Sequence, residues 1–297
     1  MKVLITGAGG GLGQALTSSA PAGTQLTSPD KTALDITDES AVRAAFDTHA
    51  PKLVINCAAW TDVDGAEKNP GLAHAVNERG AANLANACAQ SSARLIHIST
   101  DFVFDGTKHA PYTEDDAPAP LGVYAKSKLA GEQRVIESGC AHLIVRTSWL
   151  YALSNENTFP HRVLEWGRKN KRVELALDNI GSPTHADALA RALWQLAPGD
   201  ASGILHWAGA GAASRLEFGK LILDEAISMG AKLKVEEVIP VPAEKFALPA
   251  PRPGDSSLDC ARAVSLGVAP APWQDMAREF VQAWVAMARL RQISSRK

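Results

Sequence analysis

A glycine cluster, Gly7-Ala8-Gly9-Gly10-Gly11-Leu12-Gly13, follows directly on the short apolar run Val3-Leu4-Ile5-Thr6 and leads into an Ala/Leu-containing stretch. That junction constrains the chain more than any other feature in it. It reads as strand, tight turn and helix, the opening of a βαβ unit. Gly7, Gly10 and Gly13 have G-x-x-G-x-x-G spacing. The first glycine permits the turn, the second lets backbone approach a pyrophosphate, and the third lets helix and strand pack closely. Helix N-terminal amides and the helix dipole would then face the phosphates. A glycine cluster alone would also suit a flexible turn; its position after the first strand favours dinucleotide binding.

The rest of the first half agrees. Lys2–Thr6, 53–58, 95–99 and His142–Thr147 are continuous apolar runs, separated by stretches such as 41–46 and 77–90 with helical apolar spacing. Strands of that kind alternating with helices predict an α/β chain, a Rossmann-like doubly wound parallel sheet covered on both faces. Past residue 150 the texture changes. A basic cluster occupies 168–172, prolines crowd 240–253, and 273–293 reads as an amphipathic helix with Trp273, Met276, Ala277, Phe280, Trp284 and Ala288 on one side. The expected division is residues 1–150 for the dinucleotide and mainly 151–297 for a smaller C-terminal α/β substrate-binding domain. The segment around 172–207 is a candidate for return to the first.

Composition excludes other classes. Lys plus Arg number 30 against 32 Asp plus Glu, a net charge of −2, which argues against a nucleic-acid binder. No stretch reaches the ~18 apolar residues of a spanning helix, and the first apolar run is too short for a signal-peptide core. The four cysteines lie far apart without C-x-x-C, and the eight histidines show no ligand spacing. The expectation is a reduced, cytoplasmic, metal-independent protein without membrane or nucleic-acid partners.

Tyr124-Ala-Lys-Ser-Lys128 places a phenol and an ammonium at i and i+4, on one helix face. A free tyrosine, with pKa ~10, is a poor acid-base group at neutral pH. A nearby cation favours the phenolate and would tune it for proton exchange with a substrate oxygen. The spacing alone is common by chance. Its context is stronger, because it follows a strand ending in Ser99-Thr100, where a hydroxyl can reach a carbonyl beside the tyrosine. Thr100 and Asp101 could otherwise be ordinary caps. Asp30 stands where an acid commonly accepts from the adenosine ribose, or is a turn acid in Ser28-Pro29-Asp30-Lys31. Lys31 beside it could tolerate a 2′-phosphate. Asp35 and Ile36 would lie near the adenine, or the segment caps the helix beginning at Glu39.

The glycine-rich turn, the strand-end hydroxyl and Tyr-x-x-x-Lys together resemble the extended short-chain dehydrogenase/reductase superfamily. More narrowly, the chain is similar to the dTDP-4-dehydrorhamnose reductase family. The segments that carry this run almost end to end: LDITD at 34–38, AAWTDVDGAE at 58–67, STDFVFDG at 99–106, YAKSKLAGE at 124–132, RTSWLY at 146–151, GSPT at 181–184 and RPGDSSLD at 252–259. The resemblance implies reduction of the C4 ketone of dTDP-4-dehydro-6-deoxy-L-mannose by NADPH or NADH, giving dTDP-L-rhamnose. Tyr124 would be the general acid. Lys128 would bind the nicotinamide ribose and depress the tyrosine pKa, and Thr100 would bond the same ketone oxygen, with Asp101 beside it contacting the sugar. Gly10, Gly11 and Leu12 would line the pyrophosphate. Ala58, Ala59 and Trp60 would line the path from adenosine to nicotinamide. Trp149 would sit against the deoxysugar ring and Arg252 would approach the substrate diphosphate; without the resemblance they read as a core aromatic and a surface cation.

Departures from the family pattern are also visible. Trp60 and Phe102 replace residues that are more often Tyr or His and Tyr, and Asn179 replaces a common Gln. Some relatives dimerise through acidic residues bridging Mg²⁺. Here the first helix begins Gln14-Ala15-Leu16 with no carboxylate, which weakens both that dimer and the metal requirement and leaves monomer or homodimer open. Two further readings use the same motifs: another nucleotide-sugar 4-keto-reductase or epimerase, and a non-catalytic regulatory subunit of the methionine adenosyltransferase type.

Overall fold

The computed structural model describes residues 1–294. Its strands are β1 (Lys2–Thr6), β2 (Gln25–Thr27), β3 (Leu53–Asn56), β4 (Arg94–Thr100), β5 (His142–Thr147), β6 (Leu150–Tyr151), β7 (Arg172–Ala176), β8 (Ile180–Gly181), β9 (Thr184–His185), β10 (Gly203–His206), β11 (Ala213–Ser214) and β12 (Glu237–Val241). The helices are α1 (Gly11–Ser18), α2 (Glu39–His49), α3 (Val63–Lys68), α4 (Pro70–His74), α5 (Gly80–Ser91), α6 (Val123–Glu137), α7 (Phe159–Lys169), α8 (Ala186–Leu196), α9 (Arg215–Ser228), α10 (Ala261–Ser265) and α11 (Trp273–Ser294).

Six strands form a parallel sheet in the order β10-β5-β4-β3-β1-β2. The continuous apolar runs are explained by its two covered faces. Val3, Ile5, Leu53, Ile55, Ile96, Leu143 and Val145 face α1 and α8, whereas Leu4, Val54, Leu95 and Ile144 face α2, α5 and α6. Period-2 alternation is present, but both phases are apolar because both are buried. The chain direction of assembly reverses between β1 and β3, the switch point where α/β sheets leave a crevice at the carboxyl ends of their strands. Gly7, Cys57, Thr100 and Ser148 stand just past, or at, those ends.

Residues beyond 150 enter this sheet. β10 pairs with β5, and α8 packs Leu189 and Leu193 against Leu12 and Leu16 of α1. β7 does not join it; it pairs in parallel with β12. β7, α7, α9 and α11 enclose a separate core that includes Val163, Leu175, Phe218, Ile222 and Phe280. The stripe expected on the last helix is seen there: Trp273, Met276, Ala277 and Phe280 are buried and Trp284 is half-buried. Among the described residues no helix is long and apolar enough to cross a membrane.

Two elements differ from their sequence reading. The run expected over 53–58 ends as a strand at Asn56, whose Oδ1 accepts from the Ala58 amide and turns the chain. The helix expected over 77–90 begins with a π turn, Ala75–Arg79. Its widened geometry presents Asn77, which accepts from the Trp60 amide at 2.8 Å and donates to the Trp60 carbonyl and Ser127 Oγ. π turns of this kind recur at functional sites.

Candidate active site

The glycine turn forms a cradle without side chains. Gly7 has φ +69°, and a Cβ there would lie 2.5 Å from the Ala58 amide nitrogen. A Cβ on Gly13 would overlap the Gly7 carbonyl. Gly10 is the N-cap of α1, makes no side-chain cap, and donates its own amide to Gly7 O at 3.0 Å. The first turn of α1 holds no acidic residue, so its amides and the positive end of the helix dipole remain for an anion. The residues present therefore fit a dinucleotide pyrophosphate. Leu12 contributes its backbone to that turn while its side chain is buried between helix and sheet.

On the adenosine side, the structure gives Asp30 the turn role. One oxygen, Oδ1, accepts from Thr32 N, Thr32 Oγ1 and Ala33 N. These bonds hold the carboxyl below its ordinary pKa, the Thr32 hydroxyl first. Asp35 accepts from the Thr37 amide; the cap of α2 is Asp38, bonded to Ser40 and Ala41 amides. The Ile36 side chain is buried with Leu34, Val42 and Phe46. Ala58, Ala59 and Trp60 follow β3 and are half-buried beside the glycine turn.

Tyr124 and Lys128 lie on the first turns of α6. A carboxylate distant in sequence anchors this end of the helix: Glu67 Oε1 accepts from the Val123 amide at 2.8 Å. Burial pushes the Tyr124 phenol up to about 12, the Thr100 hydroxyl opposing as a hydrogen-bond partner and the Asp101 charge adding to the rise. Lys128 is not among the groups that set this shift. The ammonium instead donates to the Ile98 carbonyl at 2.6 Å. Burial brings it down to about 8, with Glu132 and Cys57 opposing. A phenol so raised is a neutral proton donor at physiological pH, the form a carbonyl reduction needs. Phe102 meets the Tyr124 ring edge-on at 6.0 Å.

Thr100 ends β4, and its hydroxyl donates to Asp101 Oδ1. Asp101 is buried, its other oxygen accepting from Ser256 Oγ at 2.5 Å and Ser148 Oγ at 2.9 Å. Burial raises its pKa and these hydroxyls oppose the rise. The carboxylate thus ties β4, the end of β5 and the 252–259 segment together. Trp149 follows Ser148 with φ +44°, a strained conformation for a bulky residue that is typical of functional positions. Its indole Nε1 is buried without a partner. Arg252 stands otherwise than expected. Its two terminal nitrogens pair with the Asp64 carboxylate at 2.7 and 2.9 Å, and one also donates to the Ala250 carbonyl. A bidentate pair satisfies the fork that was expected to meet a phosphate.

Several residues here escaped the sequence reading. Arg215 stacks on Trp149 and is bonded to Asn179. A buried network joins Thr6 Oγ1, Asn56 and His97 across β1, β3 and β4. Asn56 Oδ1 is taken by Thr6 and Ala58, so its amide must donate to His97 Nδ1, leaving that ring neutral with its proton on Nε2. A polar residue inside an apolar run, such as Asn56 in LVINCA, was the available signal.

The chain matches the family described as RmlD substrate binding domain over residues 1–285. It is 41% identical over 275 residues to the dTDP-4-dehydrorhamnose reductase of Mycobacterium tuberculosis H37Rv, covering 91% of this chain and 88% of that protein. The crystal structure of dTDP-4-dehydrorhamnose reductase from Bacillus anthracis in complex with NADP superposes with a TM-score of 0.88 at 36% identity, covering 94% of this chain and 98% of that one. For the Clostridium acetobutylicum structure of the same name the TM-score is 0.90 at 33% identity, with 96% and 99% covered. The match along nearly the whole chain places this protein in the dTDP-4-dehydrorhamnose reductase family.

Proposed function

We propose that the chain reduces the C4 ketone of dTDP-4-dehydro-6-deoxy-L-mannose to the alcohol of dTDP-L-rhamnose, using NADPH or NADH. The observation that carries this reading is the convergence of Tyr124, Thr100 and Lys128 at the end of β4, beside the side-chain-free cradle of α1. Residues 1–150, completed by α8 and β10, would hold the dinucleotide, and most of the remainder the sugar nucleotide. When bound, the dinucleotide supplies hydride to C4. The protein's own residues handle the oxygen. Tyr124 gives its phenolic proton to O4 as negative charge develops, the Thr100 hydroxyl turns from Asp101 to donate to the same atom, and the Lys128 cation stabilises that charge in a water-poor site. Before substrate binds, Asp101 holds that hydroxyl as its acceptor.

The test supplies the 4-keto-sugar from upstream enzymes and follows loss of reduced-nicotinamide absorbance with NADPH and with NADH. No consumption, with oxidised dinucleotide tightly retained by the purified protein, would replace this reading with an epimerase.

Two further expectations attach to the site. Gly13→Ala should weaken NADPH binding by about tenfold or more, ~1.4 kcal/mol, because the new methyl displaces the Gly7 carbonyl and opens the cradle. Fluorescence titration checks this; unchanged affinity would remove the glycine turn from the dinucleotide site. The second concerns pH. Lys128 works as a cation, and burial favours its neutral form, so kcat/KM should hold from neutrality to near pH 8 and fall above it. Tyr124, at about 12, stays protonated throughout. Lys128→Arg, which keeps its charge, should move the fall to higher pH in whatever activity remains; a fall at the same pH in both proteins would assign it to another group.

A further inference from the structure

Arg215 is the first residue of α9. Its guanidinium carbon lies 3.4 Å from the centre of the Trp149 ring and 4.7 Å from that of Phe159. Nε donates to Asn179 Oδ1 at 3.3 Å, while neither terminal nitrogen has a hydrogen-bond partner and no carboxylate pairs with the side chain among the described residues. Asp101 attracts it and Arg252 repels it through space, so all three groups share one region. Yet the Asp101 oxygens are already engaged by three hydroxyls.

This placement is unfavourable for a cation in three ways. The group is half-buried against Trp149 and Phe159 and loses part of its hydration. It stands at the positive end of a helix dipole. It lies close to a second arginine. Stacking on Trp149 offsets part of this, but a methionine or leucine would fill the same space without the cost. Asn179 holds the arginine at both ends. Its carbonyl accepts the Arg215 amide at 3.1 Å, its side-chain oxygen accepts Nε, and its Nδ2 donates to the Pro253 carbonyl at 3.0 Å. The residue noted above as a departure from the family pattern thus tethers Arg215 to the 252–255 segment. Arg252, in contrast, has its fork closed by Asp64.

We propose that Arg215, in preference to Arg252, receives the diphosphate of the sugar nucleotide, its flat guanidinium pre-positioned on Trp149 with both terminal nitrogens free. The inference rests on the nucleotide-sugar reading above and deepens it. A planar fork held in advance loses little orientational freedom on meeting phosphate oxygens. The anion in turn neutralises the repulsion between Arg215 and Arg252. A consequence is that one face of Trp149 is covered by Arg215, so the deoxysugar can meet the indole only at its other face or edge.

Calorimetric titration of the full chain with dTDP and with thymidine tests this. Arg215→Met, which keeps apolar cover on Trp149, should weaken dTDP by about tenfold or more, ~1.4 kcal/mol. Thymidine and NADPH affinities should stay at the parent values. Arg215→Lys should recover part of the loss, and Arg252→Met should lose less than Arg215→Met. In turnover, KM for the keto-sugar should rise much more than kcat falls. Unchanged dTDP affinity in Arg215→Met, a parallel loss of thymidine affinity, or a larger loss in Arg252→Met would each overturn the assignment. Failure of the unmodified protein to bind dTDP would overturn the nucleotide-sugar reading itself, and is distinguishable because it appears before any substitution.

Discussion

Tyr124→Phe should lower kcat by about 10²–10⁴-fold, the usual range for removing a general acid, while NADPH affinity stays near that of the unmodified protein. Phenylalanine keeps the ring and its edge-on contact with Phe102 and deletes only the proton donor. Thr100 still offers a hydrogen bond, so turnover should not reach zero, but an aliphatic hydroxyl is a much weaker acid than a phenol and cannot replace it as the proton donor at comparable rate. The check is steady-state kinetics with the keto-sugar beside a direct titration of NADPH. Near-parental kcat would remove Tyr124 from the chemistry, and joint loss of kcat and NADPH binding would make it a cofactor-binding residue first.

The largest stability effect is expected deeper down. Arg146, on β5, and Glu132, on α6, form a fully buried pair at 2.7 and 3.0 Å. Ser99 Oγ also donates to Glu132 Oε1, and the guanidinium lies 5.2 Å from the Phe104 ring centre. Arg146→Met leaves a carboxylate buried without its counter-charge, which should cost about 3–5 kcal/mol. Denaturant unfolding would show this as a lower midpoint at unchanged slope. The double change Arg146→Met with Glu132→Gln should recover much of the loss, since removing both charges is far less costly than stranding one. Additive losses in the double variant would show that the pair's charges are not what matters. The pair also bears on function, because Glu132 lies one helical turn beyond Lys128 and anchors the helix that presents Tyr124.

The glycine turn, the four buried strands and the Tyr-x-x-x-Lys pair were legible because each depends on local sequence. A strand buried on both faces must be apolar throughout, a backbone turn against Ala58 must lack a Cβ, and residues four apart on a helix must share a face. Charges were legible as residues but not as partners. The pairing of Arg252 with Asp64 bridges 188 positions, and nothing local distinguishes that arginine from one waiting for a phosphate. The same holds for Tyr124: sequence placed a cation four residues away, whereas the burial that raises the phenol follows only from the fold.

The sequence by itself determined the doubly wound sheet, the dinucleotide turn at its first strand and the family to which the chain belongs, since all three are written in short-range patterns of burial, turn geometry and motif. Only the tertiary structure decided which part of 172–207 returns to that sheet, α8 and β10 but not β7, that Asn77 reaches Trp60 from a π turn, and that Arg215 rather than Arg252 has an unclaimed fork. Those outcomes depend on which distant groups meet in three dimensions and on how much water remains between them. Desolvation and charge pairing are properties of the folded neighbourhood, and no local stretch of the chain carries them.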